Sequence, residues 1–268
     1  KKRQFFDVNK EANIFGVAPN FGCCAANMHQ GFPKFADNLA YIGEGALHFY
    51  AYAPFRLETE LYSQKAVIEQ TANYPFENHI RFEIHEGDDL KLIFRKPSFA
   101  LEARQNGETV SSDADTYTVV ASKGDVFEII LDNSLSAQKN PDGSISARRN
   151  NLLFAMPLEA QESYVRGERP FHYREYTSGN EFAFGLYLNN GRFEIEGEKD
   201  GGKTAWFSRD KAPVEILAQG FSAENWKKRK NSAQSPPENI VKGTDMPIRL
   251  VPYGCTLLRI AQFPCLEK

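Results

Sequence analysis

Short runs of alternating apolar and polar residues, each closed by a turn signal, fill most of this sequence. In residues 80–85 the order Ile-Arg-Phe-Glu-Ile-His places apolar side chains on one face, as a half-buried strand requires. Turn signals such as Asn106-Gly107 separate the runs, and no helical pattern intervenes. This succession predicts a mainly β chain built of antiparallel β-sandwiches. The first predicted strands are residues 46–53, 80–85, 90–94, 99–103, 117–121 and 126–131.

A second set of strand patterns follows the turn Asn140-Pro-Asp-Gly143 and the apolar run of residues 152–156. A chain of 268 residues is long enough for two domains of ordinary size. We therefore place a boundary near residue 150 and predict one antiparallel β-sandwich domain at 46–150 and another at 151–268. The predicted strands of the second set are residues 182–188, 192–196, 214–218, 247–251 and 256–261.

Ahead of the strands, residues 22–41 carry the one long helical pattern of the sequence. Its apolar residues at steps of three and four are Met28, Phe32, Phe35 and Leu39. Pro33 removes a backbone donor, so we expect a kink or restart just before it and an end near Gly43 or Gly45. One amphipathic helix without sibling helices is typical of the tail of a helical domain. Residues 1–45 are therefore predicted to be a short helical segment that precedes the sandwiches.

Charge and composition exclude several classes of partner. The 32 basic and 35 acidic residues give a formal net charge of −3, so no nucleic acid or anionic membrane surface is expected. The run Lys227-Lys228-Arg229-Lys230 is interpreted as solvated, within a long loop at 227–242. No stretch approaches the roughly 20 apolar residues of a membrane span. The compartment is left open; removal of an upstream signal peptide would imply a periplasmic or secreted protein.

Cys23 and Cys24, two of the four cysteines, are adjacent at the start of the helical pattern. One interpretation is a pair of small buried side chains, since free cysteine is among the most buried residue types. The other is chemical, because a helix N-terminus lowers a thiol pKa and thiolates are nucleophiles and metal ligands. Adjacent helical residues diverge by about 100°, so both thiols can flank one metal ion. Asn27 shares the face of Cys23 and can hydrogen-bond a thiolate or a ligand.

The remaining polar residues do not form a site that the sequence reveals. His29 lies about 140° around the helix from Cys24, so this stretch does not close a zinc site by itself. A predicted strand separates Cys255 from Cys265, which favours two unrelated thiols over a disulfide. No carboxylate pair suited to ordinary glycoside hydrolysis is evident.

Residues 20–35, Asn-Phe-Gly-Cys-Cys-Ala-Ala-Asn-Met-His-Gln-Gly-Phe-Pro-Lys-Phe, resemble a segment of glycoside hydrolase family 127, the β-L-arabinofuranosidase family. Residues 46–54, 145–157 and 249–264 are similar to strand regions of that family. The double-cysteine segment is the specific part of the resemblance. It departs from the common family form by reading Cys-Cys-Ala-Ala-Asn in place of Cys-Cys-Pro-Pro-Asn, which leaves the sugar specificity open.

This resemblance implies an N-terminal (α/α)6 barrel followed by β-sandwiches, with residues 1–45 forming the end of that barrel. By position, Cys23 becomes the nucleophile of a retaining mechanism and a zinc ligand, and Cys24 becomes a second zinc ligand. In the family, a glutamate and a third cysteine from earlier in the barrel complete the zinc site. The upstream glutamates, including the acid/base, have no counterpart in this sequence.

Two functions follow as alternatives. In the first, the chain is the C-terminal part of a retaining glycosidase that acts on β-L-arabinofuranosides or a related plant-glycan sugar. It then carries Cys23 as nucleophile and Asn27 as a substrate-binding residue, requires the N-terminal barrel as partner, and is inactive alone. In the second, it is a non-catalytic β-sandwich module that binds glycan or serves a structural role, and its cysteines are simply buried.

Overall fold

The computed structural model describes residues 14–16, 22–71, 73–178, 181–200, 211–229 and 232–268. The first 13 residues, the Asn20-Phe21 end of the double-cysteine motif and Lys230 of the basic run lie outside the described residues. Strands dominate the described chain, so the prediction of a mainly β protein is confirmed. None of its helices has both the length and the apolar character to cross a membrane.

The helices are α1 (Gly22–Asn27) and α2 (Gly31–Asp37), and short 3-10 helices lie at Met28–Gln30 and Tyr253–Cys255. The strands are β1 (Ile14–Phe15), β2 (Tyr41–Gly43), β3 (Ala46–Phe49), β4 (Phe55–Leu61), β5 (Gln64–Gln70), β6 (His79–Glu86), β7 (Leu90–Arg95), β8 (Ala100–Gln105), β9 (Glu108–Val110), β10 (Ser112–Asp113), β11 (Thr116–Ala121), β12 (Val126–Leu131), β13 (Ser136–Lys139), β14 (Ile145–Arg149), β15 (Leu152–Leu158), β16 (Ala160–Arg166), β17 (Tyr173–Ser178), β18 (Phe184–Asn189), β19 (Arg192–Phe193), β20 (Ile195–Asp200), β21 (Val214–Ala223), β22 (Lys228–Arg229), β23 (Ser232–Ala233), β24 (Lys242–Pro252), β25 (Leu258–Ile260) and β26 (Cys265–Glu267).

The helical segment is interrupted, as the sequence predicts, and ends earlier than expected. A 3-10 turn separates α1 from α2, and Pro33 falls in the first turn of α2, where its missing N–H costs no intrahelical hydrogen bond. The side chain of Asn38 donates to the carbonyl of Lys34 and ends the helix. Met28 and Phe32 on its apolar face are 82% and 78% exposed. This face therefore has no apolar cover within the described chain.

The described residues divide into two compact units, of which one is Asn27–Asn133. This two-sheet unit contains a five-stranded sheet, in the order β10-β11-β7-β3-β2, and a six-stranded sheet, in the order β4-β5-β6-β12-β8-β9. Strands of both sheets contribute to one apolar core. Phe94 on β7 lies 4.8 Å from Phe82 and 4.2 Å from Phe127, measured between ring centroids, and both partners belong to the other sheet. The core therefore holds the two sheets face to face.

The second unit comprises the described residues among 134–268 and among 1–26, and we call it the ring unit. Strand β21 pairs with both β24 and β18, and this closes a ring of seven strands in the order β21-β24-β15-β14-β13-β19-β18. Two glycines lie where β18 meets β21. A Cβ on Gly220 would stand 2.5 Å from the carbonyl oxygen of Gly185, and a Cβ on Gly185 would overlap the ring of Phe221. The closure therefore depends on residues without side chains.

The ring lies in the part of the chain where the sequence predicts a second sandwich, at 151–268, and a sandwich there is not confirmed. Alternation of apolar residues determines which face of a strand is buried, but it does not determine which distant strand becomes its neighbour. Strands β13 and β14 belong to the ring unit because they pair with β19 and β15, so the units divide between residues 133 and 134, ahead of the predicted boundary near 150. A small sheet in the order β1-β17-β16 also belongs to this unit.

The carboxylate of Asp125 joins its own turn to the predicted turn at Asn106-Gly107 in the two-sheet unit. It accepts hydrogen bonds from the backbone N–H of Ser122 and from the side chain of Asn106, both at 2.8 Å. These hydrogen bonds, led by the one from Ser122, hold the pKa of Asp125 below its ordinary value. The ionised form is thus favoured by folding. The stability it contributes is present above the unfolded-state pKa and is lost as the pH falls through the lower folded-state pKa.

We expect Asp125→Asn to reduce the free energy of unfolding by about 1 kcal/mol at neutral pH, since hydrogen bonds to a charged acceptor are lost. The difference between wild type and variant should shrink as the pH falls below about 4, where the carboxyl group of the unfolded chain becomes protonated, and it should be lost once the folded carboxylate is protonated as well. Urea titrations at a series of pH values measure this difference. Asp113→Asn, at an exposed turn of the same unit, is the matched control. A wild-type advantage that stays constant down to pH 2 contradicts the assignment.

Candidate functional site

The paired cysteines lie at the first turn of α1. Gly22 begins the helix, and Cys23 and Cys24 follow it directly. Both thiols are exposed, and their Sγ atoms are 3.8 Å apart. Burial therefore does not account for the pair in this chain, and the interpretation as two small core residues is not supported.

The pKa of Cys24 is raised, whereas a lowered pKa was expected for a thiol at a helix N-terminus. A hydrogen bond with the Cys23 thiol, and the repulsion that two adjacent thiolates would experience, raise the pKa of Cys24. Activation of Cys24 as a thiolate therefore requires a positive charge close to it.

The spacing of the two thiols suits a shared metal ion. Ligands at the usual Zn–S distance of about 2.3 Å and at tetrahedral angles stand about 3.8 Å apart, which matches the separation of the Cys23 and Cys24 sulfurs. Within the described ranges, no group of three or more His, Cys, Asp or Glu residues is placed to hold a metal. The pair therefore offers half of a tetrahedral zinc site, and the remaining ligands must come from other residues.

Asn27 and His29 lie farther along the helical segment. Asn27 is the last residue of α1, is exposed, and accepts a hydrogen bond of 3.0 Å from the Gln30 side chain. His29 is exposed in the 3-10 turn that follows. The substrate-binding role of Asn27 stays a prediction, since an exposed amide at this position fits both that role and an ordinary helix end.

The other two cysteines are structural. Cys255 is buried in the second 3-10 helix and Cys265 is partly buried on β26; both are thiols, as predicted. Burial raises the pKa of each of them. They are therefore poor nucleophiles compared with an exposed thiol that a metal can activate.

One cavity in the ring unit escaped the sequence analysis. It has a volume of about 250 Å³, and Phe182, Lys228 and Arg259 are among the residues that line it. Lys228 belongs to the basic run that was interpreted as solvated, and it lies on the short hairpin formed by β22 and β23. Arg259 comes from β25, which pairs with β15. A basic run in a loop was the one available signal, and it did not indicate which distant strand would face it.

Comparison with known proteins gives a likeness of fold. No protein-family model matches the sequence, and no curated protein matches it. A GH127 β-L-arabinofuranosidase from Geobacillus stearothermophilus T6 superimposes with a TM-score of 0.61 and 17% identity over 92% of this chain and 37% of that one. A second GH127 β-arabinofuranosidase gives 0.64 and 18% over 98% of this chain and 42% of that one. A further structure, described as a glycoside hydrolase, gives 0.63 and 16% over 92% and 40%.

This chain thus has a mainly β fold that recurs within glycoside hydrolases. More narrowly, its structural neighbours include family 127 β-L-arabinofuranosidases, as the sequence resemblance predicts. The chain spans about two fifths of the length of these structures, and nearly all of it takes part in the match. The likeness is consistent with a C-terminal domain of the family 127 type.

Proposed function

We propose that this chain is the C-terminal part of a retaining family 127 glycosidase that acts on β-L-arabinofuranosides or a related plant-glycan sugar. The observation that carries the proposal is the pair of exposed thiols, Cys23 and Cys24, at the start of α1 in a chain with this fold. The fold likeness alone supports only a relation to glycosidases. The paired thiols supply the chemistry, because a thiolate is a nucleophile that can form a covalent intermediate.

The uncovered helix face supports the partner in this proposal. Met28 and Phe32 are largely exposed, and Phe35 is 46% exposed on the same segment. Three large apolar side chains on one short segment are costly to leave in water and are typical of an interface. We assign their cover to an N-terminal helical barrel, which would pack on α1 and α2. The same barrel would supply the groups that the cysteine pair lacks.

In the proposed reaction the Sγ of Cys23 attacks the anomeric carbon, and the bond to the leaving-group oxygen breaks. A carboxylic acid of the barrel gives that oxygen its proton. Water then attacks the same carbon, its proton returns to that carboxylate, and the carbon–sulfur bond breaks to restore the thiolate. Two displacements at one centre retain its configuration.

Zinc is the cofactor in this proposal, with Cys23 and Cys24 as two of its ligands. Bound zinc lowers the pKa of a thiol and stabilises the thiolate as a leaving group. Cys24 requires such help, because its thiol neighbour raises its pKa. Asn27 is the substrate-binding residue in this proposal, because it is exposed at the end of α1 and carries an amide that can hydrogen-bond a sugar hydroxyl.

The test compares two forms of the protein on 4-nitrophenyl β-L-arabinofuranoside. We expect the 268-residue chain to release no more 4-nitrophenol than its Cys23→Ala variant, because it lacks the proton donor. The protein extended by its natural upstream sequence should hydrolyse this substrate or a related aryl furanoside. Hydrolysis by the short chain above the variant would show that the proton donor lies within it. An inactive extended protein across a panel of aryl furanosides and pyranosides would leave the non-catalytic module as the better account.

A further inference from the structure

The cavity of the ring unit has the size of a single sugar ring. Pockets for drug-sized ligands begin at about 300 Å³, and this cavity holds about 250 Å³. It opens between β17, β25 and the hairpin of β22 and β23, all within the ring unit. A monosaccharide unit therefore fits, and a longer oligosaccharide would have to extend into solvent.

The charge of the cavity is positive. Lys228 and Arg259 are among its described lining residues, and no carboxylate is. The Lys228 ammonium makes one long hydrogen bond of 3.4 Å, to the carbonyl of Ser178. In the described part of the chain neither cation is paired with a carboxylate. Both therefore retain donors for an anion.

Arg259 is held in place before any ligand binds. Its Nη1 donates to the carbonyls of Tyr253 and Thr256 and to the Thr256 hydroxyl at 2.9 to 3.1 Å, and its guanidinium stacks 3.8 Å from the centre of the Tyr253 ring. These hydrogen bonds use only Nη1 of the guanidinium. The N–H groups of Nε and Nη2 remain as donors for a ligand. A fixed guanidinium loses little entropy on binding a carboxylate.

The carboxylate of Glu162 is hydrogen-bonded by a residue of the cavity lining and is paired with a cation. The Tyr176 hydroxyl, whose residue lines the cavity, donates to Glu162 at 2.7 Å. Glu162 also pairs with Arg174 at 3.5 Å. Because that negative charge is offset, it does not cancel the field of the two cations inside the cavity.

The remaining lining suits the body of a sugar. Phe182 presents an aromatic side chain whose position is fixed by an edge contact of 5.4 Å with the buried ring of Trp226. Thr177 and Ser232 add hydroxyl groups to the same lining. An aromatic face packs against the C–H groups of a sugar ring, and hydroxyls exchange hydrogen bonds with its hydroxyls.

We propose that this cavity binds an acidic monosaccharide unit, with the carboxylate between Lys228 and Arg259 and the ring against Phe182. An inorganic anion would use the cations and leave the aromatic wall without a role. A neutral sugar would use the aromatic wall and leave the two cations without a charged partner. A uronate has a carboxylate that can bind the two cations and a sugar ring that can pack against Phe182.

The test measures binding of methyl α-D-galacturonoside by isothermal titration calorimetry at low ionic strength. Methyl α-D-galactoside, which has a hydroxymethyl group in place of the carboxylate, is the neutral control ligand, and sodium acetate is the anion without a ring. We expect the uronoside to bind at least about tenfold more tightly than either. Equal binding of acetate would overturn the sugar assignment, and equal binding of the galactoside would overturn the role of the cations.

Variants locate the site. Lys228→Gln should weaken binding of the uronoside about tenfold, since it removes a charge-assisted hydrogen bond. Lys227→Gln is the matched control, because this neighbouring lysine is absent from the described lining and donates instead to the carbonyl of Glu224. Phe182→Ala should weaken the uronoside and leave acetate unchanged. Equal losses from the two lysine variants, or no uronoside binding by a folded wild type, would reject the proposal. The measurement involves no catalysis, so its outcome is independent of the Cys23 chemistry.

Discussion

Cys23→Ser in the N-terminally extended protein should lower kcat/KM by about 10⁴-fold or more. The Sγ of Cys23 forms the bond to the sugar in the proposed function, and loss of a nucleophile removes the whole covalent route. A serine hydroxyl is a far weaker nucleophile at neutral pH than a thiolate and a poor ligand for zinc. The β core of the variant should stay folded, since Cys23 is not among the buried residues of this chain. Steady-state hydrolysis of the aryl furanoside measures the loss.

Two further measurements separate the nucleophile from a ligand that merely supports it. Cys265→Ala removes a partly buried thiol far from α1 in sequence and should leave kcat/KM unchanged. A mechanism-based furanose inhibitor of the cyclophellitol type should label the wild-type peptide that contains Cys23, and the Cys23→Ser protein should stay unlabelled. Labelling of a glutamate or aspartate, or near-normal turnover by Cys23→Ser, would return the pair to a metal-binding or packing role.

Strands whose alternation matched a buried face were predicted nearly residue for residue. The predicted strand at 126–131 has the same bounds as β12. The predicted strand at 90–94 ends one residue before β7 does. Their apolar residues point into one core, so the pattern in the sequence carries the information that the fold uses. The helix break before Pro33 was predictable for the same reason, since proline acts locally.

The β4–β5 and β16–β17 hairpins were not predicted because their signals are weak in the sequence. Strands β4 and β5 meet at Tyr62-Ser63, where both residues adopt positive φ without glycine or asparagine, so no turn signal marks the hairpin. Strand β16 exposes most of its side chains and shows no alternation to detect. The ring closure at Gly185 and Gly220 was also hidden, because isolated glycines fit turns and close contacts equally well.

The two candidate sites differ in how far the sequence alone predicts them. Cys23 and Cys24 are adjacent, so their juxtaposition can be read from the sequence, although their exposure and the raised pKa of Cys24 cannot. Lys228 and Arg259 come together only through strand pairing and loop packing. Sites made by distant strands follow from topology, and local patterns do not determine topology.

The largest expected loss of stability comes from Phe94→Ala in the two-sheet unit. Phe94 is fully buried, and its ring stands 4.2 to 5.0 Å from the rings of Phe49, Phe82 and Phe127. Truncation removes apolar area, leaves a cavity and ends three aromatic contacts at once. We expect the free energy of unfolding to fall by about 3 to 5 kcal/mol. Urea unfolding followed by circular dichroism measures this loss, and hydrogen exchange of peptides from residues 27–133 localises it.

Two further variants test whether the loss of stability in Phe94→Ala comes from the burial of Phe94. Val120→Ala, on the adjacent strand β11 and 58% exposed, should change the free energy of unfolding by less than about 0.5 kcal/mol. Phe94→Leu should cost only about 1 to 2 kcal/mol, because it removes fewer atoms, and it still reports on the site if the alanine variant does not fold. A loss below about 1 kcal/mol for Phe94→Ala would mean that the sheets close over the gap, and the core that joins them would then lie elsewhere than at this aromatic cluster.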